Sequence, residues 1–356
     1  MRQKRRFRSW AMKHKTFPFF IPHYGCPHQC SFCEQHAISG QEAAVTPQEV
    51  ADTLARAKEQ CLLTSDMEVA FFGGSFTAIG EERVRAYLTA AFPFVEHGDC
   101  AGIRVSTRPD AVEPPMLSLL KEYGVKTIEL GAQSMRDEVL LKNGRGHTAE
   151  EVRQASKRIR EAGFSLGLQM MVGLYGDTCP EDAMYTAREL CALSPDFVRI
   201  YPTVIVKGTM LASLYEAGAY VPMTLWTGVE VCADLLELFD AHGIPVIRLG
   251  LQDSASLIKT QIGGLYHPAF RELCESVLYR RRIEEALCGQ PDGHYTVFVH
   301  PSCVSKAVGH AQCNKKEFET RGFFLKIKPD EQIPVYRVLV ERSENFAVKK
   351  SGNSGV

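Results

Sequence analysis

The chain has 356 residues, 45% of them hydrophobic and 23% charged, with a formal net charge of -1. This is the balance of a globular protein long enough for a barrel of alternating strands and helices with an added piece. No apolar run approaches the length needed to cross a bilayer, and the N-terminus lacks the apolar core of a secretory signal, so a cytoplasmic protein is expected.

The near-neutral total hides one asymmetry. Arg2, Lys4, Arg5, Arg6, Arg8, Lys13 and Lys15 precede any acidic residue. Residues 1–15 read as a basic arm, either laid along a phosphate backbone or simply solvated. Phe17 to Ile21 reads as a buried strand. It runs into a loop carrying Cys26, Cys30 and Cys33 in C-x3-C-x2-C spacing. Three thiols converging on one centre are one short of a closed tetrahedral zinc site or an ordinary four-cysteine cluster. The other nine cysteines are scattered without C-x2-C pairs and read as small buried hydrophobes.

Downstream, the pattern alternates. Thr46-Pro-Gln-Glu49 is a capping box that opens a helix to about Leu62. Strand Met67–Phe72 ends at Gly73-Gly74, and a helix follows to about Ala91. Strand Gly102–Ser106, helix Pro114–Tyr123 and strand Lys126–Leu130 come next. A second capping box, Thr148-Ala-Glu-Glu151, opens a helix to Glu161. Strand Ser165–Met171, a helix from Pro180 and strand Phe197–Tyr201 complete six strand-helix units. A helix near Leu225–His242 leads to a further strand, Ile244–Leu249. Such alternation predicts an α/β fold with a parallel sheet, whose chemistry collects at the C-terminal ends of the strands. Gly73, Gly74, Ser75, Ser106, Gln133, Gln169, Arg199 and Tyr201 all fall there. Gln133, Gln169 and Arg199 are candidates to hydrogen-bond a polar ligand.

Gly25-Cys-Pro-His-Gln-Cys-Ser-Phe-Cys33, with Gln35 beyond it, resembles the cluster loop of radical S-adenosylmethionine (radical SAM) enzymes. The resemblance continues in Phe71-Phe-Gly-Gly-Ser-Phe-Thr77, Ser106-Thr-Arg-Pro-Asp110, Glu129-Leu-Gly-Ala-Gln-Ser134 and Asn143-Gly-Arg-Gly-His-Thr148. It extends through Gln169-Met-Met-Val-Gly173, Arg199-Ile-Tyr-Pro-Thr203, Gly208-Thr-Met-Leu211 and Val246-Ile-Arg-Leu-Gly-Leu-Gln252 to Tyr266-His-Pro-Ala-Phe270. In order and spacing this set is similar to the radical SAM half of the Elongator catalytic subunit and its bacterial relatives, over residues 16–275.

The resemblance implies a partial (β/α)6 barrel and a [4Fe-4S] cluster held by Cys26, Cys30 and Cys33. It also implies S-adenosyl-L-methionine on the fourth iron, cleaved reductively to a 5'-deoxyadenosyl radical. By position, Gly73 and Gly74 would meet the methionine amino group. Ser75 stands where many such enzymes carry an acid. Ser106, Gln133 and Gln169 would lie near the ribose and carboxylate, and Phe32 near the adenine. An electron donor such as flavodoxin or ferredoxin is implied as a partner. The acetyltransferase domain that follows in the Elongator subunit is not expected here, so wobble-uridine carboxymethylation is not implied.

At the C-terminal end, strand Tyr295–His300, the stretch Val304–Lys316 and strand Gly322–Ile327 resemble the core of a KH RNA-binding domain. Gly309-His-Ala-Gln312 lacks the second glycine of the clamping loop, while Lys306, Lys315, Lys316 and Arg321 predict a basic surface. The expected organisation is a basic arm (1–15), a partial barrel with a helical extension (16–290), a small α+β module (291–345) and a tail (346–356). Three functions follow: a radical SAM enzyme acting on tRNA or other RNA, one acting on a small molecule or peptide, or a non-catalytic iron-sulfur RNA-binding protein. Neither substrate nor oligomeric state is encoded legibly, since specificity in such folds resides in loops.

Overall fold

Both capping boxes form. In the computed structural model, Thr46 accepts from Glu49 N and opens helix Pro47–Glu59, and Thr148 does the same for helix Ala149–Glu161 through Glu151. In each, the carboxylate reaches back to the capping residue's own N–H, so two otherwise unpaired helix-start donors are satisfied. The structure describes residues 15–26, 29–40, 43–178, 180–251 and 254–343. Residues 1–14 of the basic arm, Pro27, His28, Gln41, Glu42, Cys179, Gln252, Asp253 and residues 344–356 with the C-terminal tail lie outside them.

The first compact unit runs to Pro268. Its strands are β1 (Lys15–Phe20), β2 (Met67–Phe72), β3 (Gly102–Thr107), β4 (Val125–Gln133), β5 (Ser165–Val172), β6 (Phe197–Pro202), β7 (Val204–Val206), β8 (Val246–Leu249) and β9 (Gln261–Gly264). Seven of them form one sheet in the order β1-β2-β3-β4-β5-β6-β8, every neighbouring pair parallel. The sheet is parallel, as the alternation predicts, and curls into the partial barrel that the resemblance implies, with Val246–Leu249 as a seventh strand beyond the six strand-helix units. Helices Glu81–Glu96, Pro114–Glu122, Glu181–Ala192 and Leu225–Ala241 supply the remaining crossovers.

Side chains alternate along each strand. Val69, Val105, Ile128, Leu168 and Ile200 are fully buried apolar residues on one face. The other face is polar and nearly as deeply buried. Glu129 and Arg104 are wholly inaccessible, and Arg104 Nη1 lies 3.1 Å from Glu129 Oε1 while its Nε donates to Glu68 at 2.8 Å. Arg199 Nη2 reaches the same Glu129 oxygen at 2.9 Å, and Gln169 Nε2 donates to Glu129 Oε2 at 2.7 Å and to Ser106 Oγ at 3.3 Å. Thr127 donates to Glu68 at 2.6 Å. One carboxylate therefore joins β3, β4, β5 and β6. Gln169 and Arg199, expected as ligand contacts, are committed to it.

The short antiparallel pair of β7 with β9 was not foreseen. Val204-Ile-Val206 lies just beyond the strand read over Phe197–Tyr201 and is assigned to no element in the sequence reading. The break from β6 comes at Thr203, whose N–H turns to Val172 O at 2.9 Å. Gln261-Ile-Gly-Gly264 carries little strand propensity of its own.

The second compact unit begins at Ala269. Helix Phe270–Leu287, expected as an extension of the barrel, groups with this unit. It is followed by β10 (Gly293–Val299), helices Val304–Val308 and Cys313–Thr320, β11 (Phe323–Pro329) and β12 (Leu339–Arg342). The sheet order is β11-β10-β12, with β11 parallel and β12 antiparallel to the central strand. Glu275, buried on the helix, gathers Arg271 Nε at 2.9 Å, Lys306 Nζ at 2.6 Å and the Tyr336 hydroxyl at 2.7 Å. Lys306 is thus neutralised, and Arg321 pairs with Glu284 at 2.9 Å, so the predicted basic surface loses two of its four members. Among the scattered cysteines, Cys100, Cys191, Cys232, Cys274 and Cys303 are buried as expected, whereas Cys61, Cys288 and Cys313 are exposed.

Removing one partner from a buried ion network leaves the others desolvated and uncompensated. Glu129→Leu strands Arg199 in the interior and should cost about 3–5 kcal/mol of stability. Urea denaturation measures this; a loss below about 1 kcal/mol would show that water, and not Glu129, solvates the inner face.

Candidate metal centre

The cysteine loop is fastened to the sheet on both sides. Ile21 N donates to Phe72 O at 2.8 Å, His23 N to Gly73 O at 3.0 Å, and Ser75 N to Tyr24 O at 2.8 Å. This interlock leaves no room for a side chain at Gly74. A Cβ there would sit 2.4 Å from Tyr24 O and 2.7 Å from Ile21 O. Gly25 has φ +73°, and a Cβ would meet Ser75 O at 2.3 Å. Glycine is required at both positions, for close approach at Gly74 and for approach and handedness at Gly25.

On its far side the loop is held by Asn143. Ser31 N donates to Asn143 O at 3.1 Å, and Ser31 Oγ donates to Asn143 Oδ1 at 2.6 Å. Asn143 Nδ2 in turn donates to the carbonyls of Val139 and Tyr175, both at 2.8 Å. Leu211 N closes the ring of contacts on Ser31 O at 2.7 Å. After Cys33, Glu34 caps the short helix Gln35–Ser39 and His23 Nε2 accepts from Gln35 N at 3.0 Å. His23, Glu34 and His36 bring three ligand-type atoms within 4.8 Å of one another, but the first two are already spent in holding this turn.

The three sulfurs differ in setting. Cys30 is buried, Cys33 half-buried, and Cys26 reaches solvent. Burial and the neighbouring Cys30 push the Cys26 thiol up from its ordinary range, and the same causes push Cys33 up to about 12. The thiols therefore stand within one another's field. A metal that binds them must displace protons and supply the positive charge that burial otherwise withholds. Two donors already point at sulfur. Arg145 Nη1 donates to Cys30 Sγ at 3.0 Å and Gln35 Nε2 to Cys33 Sγ at 3.2 Å.

The strand-end residues divide into two groups. Ser75 is buried, its hydroxyl shared with Thr107 Oγ1 at 3.0 Å and accepting from Arg108 N at 3.2 Å, so it ties β2 to β3. Ser106 and Gln169 belong to the Glu129 network. Phe32 packs against the apolar cluster of Ile205, Leu211, Ala212 and Tyr220. Gln133 is different: it has φ +65°, and its buried Oε1 has no hydrogen-bond partner among the described residues. A strained, unsatisfied amide at a strand end is suited to a ligand. At Gly73 the positive φ of +93° favours glycine, while a Cβ there would sit at ordinary contact distance, 3.5 Å from Ile21 N and 3.7 Å from Gln35 Oε1.

Asn143, Arg145 and His147 are functional candidates that residue-by-residue reading passed over. Their signal is the Gly144-Arg-Gly-His147 segment, whose two glycines have φ +63° and +67°. His147 hydrogen-bonds Ala132 O at 3.3 Å. Burial, with the nearby Arg145 charge, lowers its pKa from 6.5 to about 4, so the ring is neutral.

Residues 20–190 match the Radical SAM superfamily, and residues 195–280 match the Radical_SAM C-terminal domain. The chain belongs to the radical SAM superfamily. Among curated relatives, the tRNA uridine(34) acetyltransferase of Dehalococcoides mccartyi is 30% identical over 44% of this chain and 36% of its own length. Human Elongator complex protein 3 is 33% identical over 39% of this chain and 26% of its own. The heme chaperone HemW of Bacillus subtilis is 26% identical over 62% of this chain and 59% of its own. The chain thus spans about a third of the tRNA acetyltransferase and about a quarter of the human Elongator protein. Among solved structures, archaeal Elp3 of Methanocaldococcus infernus with an N-terminal deletion superposes with a TM-score of 0.59 at 18% identity. That match covers 76% of this chain and 63% of that one, and it shows the shared fold.

Radical SAM enzymes use a [4Fe-4S] cluster and S-adenosyl-L-methionine. The donor set here fits that pair. Three soft sulfurs suit iron, an arginine without a carboxylate partner faces one of them, and Gln133 offers an orphaned polar atom. Cys26, Cys30 and Cys33 would hold the cluster, with Gly73 and Gln133 toward S-adenosylmethionine. When bound, the cluster supplies one-electron reduction and the sulfonium supplies the radical precursor. The chain's own part is to orient the three thiols through the Ser31–Asn143 clamp and to keep the polar inner face paired. Among the described residues, no helix is long and apolar enough to cross a membrane.

Gly74→Ala forces Tyr24 and Ile21 away from β2 and should cost about 1–3 kcal/mol. Iron bound after anaerobic reconstitution should fall with it; full iron content at wild-type stability would show that the interlock is dispensable. His147 makes a separate prediction. Its folded pKa lies below the unfolded value, so the unfolded chain binds the extra proton first. Its contribution is present above about pH 6.5 and is lost as pH falls toward 4, by about 3 kcal/mol. The difference in unfolding free energy between wild type and His147→Gln should shrink over that interval, and a constant difference would contradict a buried neutral ring.

Proposed function

We propose that this chain cleaves S-adenosylmethionine reductively and uses the resulting 5'-deoxyadenosyl radical to modify RNA, with tRNA as the substrate class. The radical half of this reading is carried by one observation: three cysteines on a loop clamped at the mouth of a radical SAM half-barrel. The RNA half draws support from the names of the tRNA acetyltransferase and Elongator relatives and from the second compact unit. The outward face of its sheet carries His294 and Phe324, stacked with ring centroids 4.8 Å apart, and Phe324 is 48% exposed. Register places Thr296 beside Lys326 and Phe298 beside Lys328 on that face, with Lys328 Nζ 5.9 Å from the Phe298 ring. Glu341 is the single acid opposite them. Aromatic faces interleaved with lysines suit unpaired bases and the phosphates between them. This is a different surface from the Gly309 loop, where a Cβ on the glycine would already meet Cys313 Sγ at 2.6 Å. Acetyl transfer is not carried over from relatives of which the chain spans so little.

The test combines chemistry and binding. Anaerobically reconstituted, dithionite-reduced protein should release 5'-deoxyadenosine from S-adenosylmethionine, faster with total tRNA present. Phe324→Ala should weaken tRNA binding about tenfold, and affinity should fall with salt. Release that ignores tRNA, with no binding, would favour a small-molecule or peptide substrate. No release from protein with a verified cluster would favour a non-catalytic iron-sulfur protein.

A further inference from the structure

Buried arginines in this barrel come with carboxylates. Arg104 has Glu68 and Glu129, Arg199 has Glu129, and Arg108 has Asp110 at 2.9 Å. Arg145 is the exception. It is 7% exposed, and no carboxylate lies within ion-pair distance of it among the described residues. Nη1 donates to Cys30 Sγ at 3.0 Å, Nη2 to Gly131 O at 2.7 Å, and Nε has no partner. A desolvated guanidinium beside neutral groups alone costs several kcal/mol, so a site that keeps one requires negative charge at the sulfur. The placement is also rigid. Arg145 N is bound to Leu140 O at 3.0 Å, and the preceding Asn143 is bonded to the cysteine loop through both its backbone and its side chain. The guanidinium is therefore positioned by the fold before any cluster arrives.

We propose that Arg145 is a positioning residue that raises the reduction potential of the cluster through its charged hydrogen bond to the Cys30 sulfur. The inference rests on the cluster reading of Cys26, Cys30 and Cys33. A cluster held by thiolates gains one unit of negative charge on reduction, and a fixed cation at sulfur favours that more negative state. The effect is unequal across the three ligands. Cys33 receives only the neutral amide of Gln35, at 3.2 Å, from a half-buried position. Arg145 is thus the stronger lever on the ease of loading an electron.

The experiment is an anaerobic redox titration of the reconstituted holoprotein followed by electron paramagnetic resonance, with iron and sulfide assayed in parallel. Wild type is compared with Arg145→Met, Arg145→Gln and Arg145→Lys. Arg145→Met should lower the ratio of reduced to oxidised cluster at fixed solution potential about tenfold, equivalent to about 59 mV for a one-electron couple. Arg145→Lys should lie between it and wild type, because an ammonium keeps the charge but not the fork. Arg145→Gln, which keeps a donor without charge, separates the hydrogen bond from the cation. Equal potentials at equal iron content overturn the proposal. So does loss of iron from all three variants with unchanged circular dichroism, which would make Arg145 an assembly residue. Failure of wild type itself to bind iron would instead refute the cluster reading on which the proposal rests.

Discussion

The cysteine loop depends on one packing constraint, the interlock of residues 21–25 with residues 72–75. Three backbone hydrogen bonds cross between the segments, and Gly74 lies so close to the Tyr24 and Ile21 carbonyls that no Cβ fits. The arrangement fixes where the loop leaves β1 and therefore where Cys26 begins. Loops on protein surfaces are usually the mobile part of a site. Here the loop is stitched to the second strand at its start and to Asn143 at Ser31, so the three sulfurs inherit the rigidity of the sheet.

The sheet that carries the loop has a charged inner face. A half-barrel cannot fill its interior with the stacked aliphatic layers of a closed barrel. This one fills it with Glu68, Arg104, Glu129, Gln169 and Arg199, each hydrogen-bonded to another of the set. Glu129 is the knot, since four strands meet at its two oxygens. The Arg104 guanidinium additionally lies 5.0 Å from the Phe197 ring and that of Arg199 4.9 Å from Phe72, which covers cationic faces that hydrogen bonds leave bare.

Much of the architecture was legible from local chemistry. The capping boxes at Thr46 and Thr148, the run Met67–Phe72 and the glycine pair after it each have a local cause, and each formed where expected. The further strand expected over Ile244–Leu249 followed from alternation and forms as Val246–Leu249. What was not legible depends on partners distant in sequence. Gln169 and Arg199 read as ligand contacts because nothing in their own strands announces that Glu129 will claim them. Lys306 reads as a surface cation because Glu275 is remote in the chain yet buried 2.6 Å away. Arg145 shows the converse. It reads as an ordinary charged residue in a glycine turn, and only the folded distance to Cys30 separates it from the other arginines.

These readings share one physical origin. A polar residue at a strand end is structural when the fold supplies its complement, and it is available to a ligand when the fold does not. Applied to the inner face, this criterion assigns Ser75, Ser106, Gln169 and Arg199 to the scaffold, since each has a protein partner in hand. It leaves Gln133 Oε1 and the Arg145 charge uncompensated, at neighbouring points around Gly131, where a Cβ would meet Gln133 Nε2 at 2.9 Å and Arg145 Nη2 at 3.3 Å. Of the two, Arg145 lies against Cys30, with Nη1 3.0 Å from its sulfur. A buried acceptor and a buried cation left unpaired within one short arc of β4 cost stability in the empty protein.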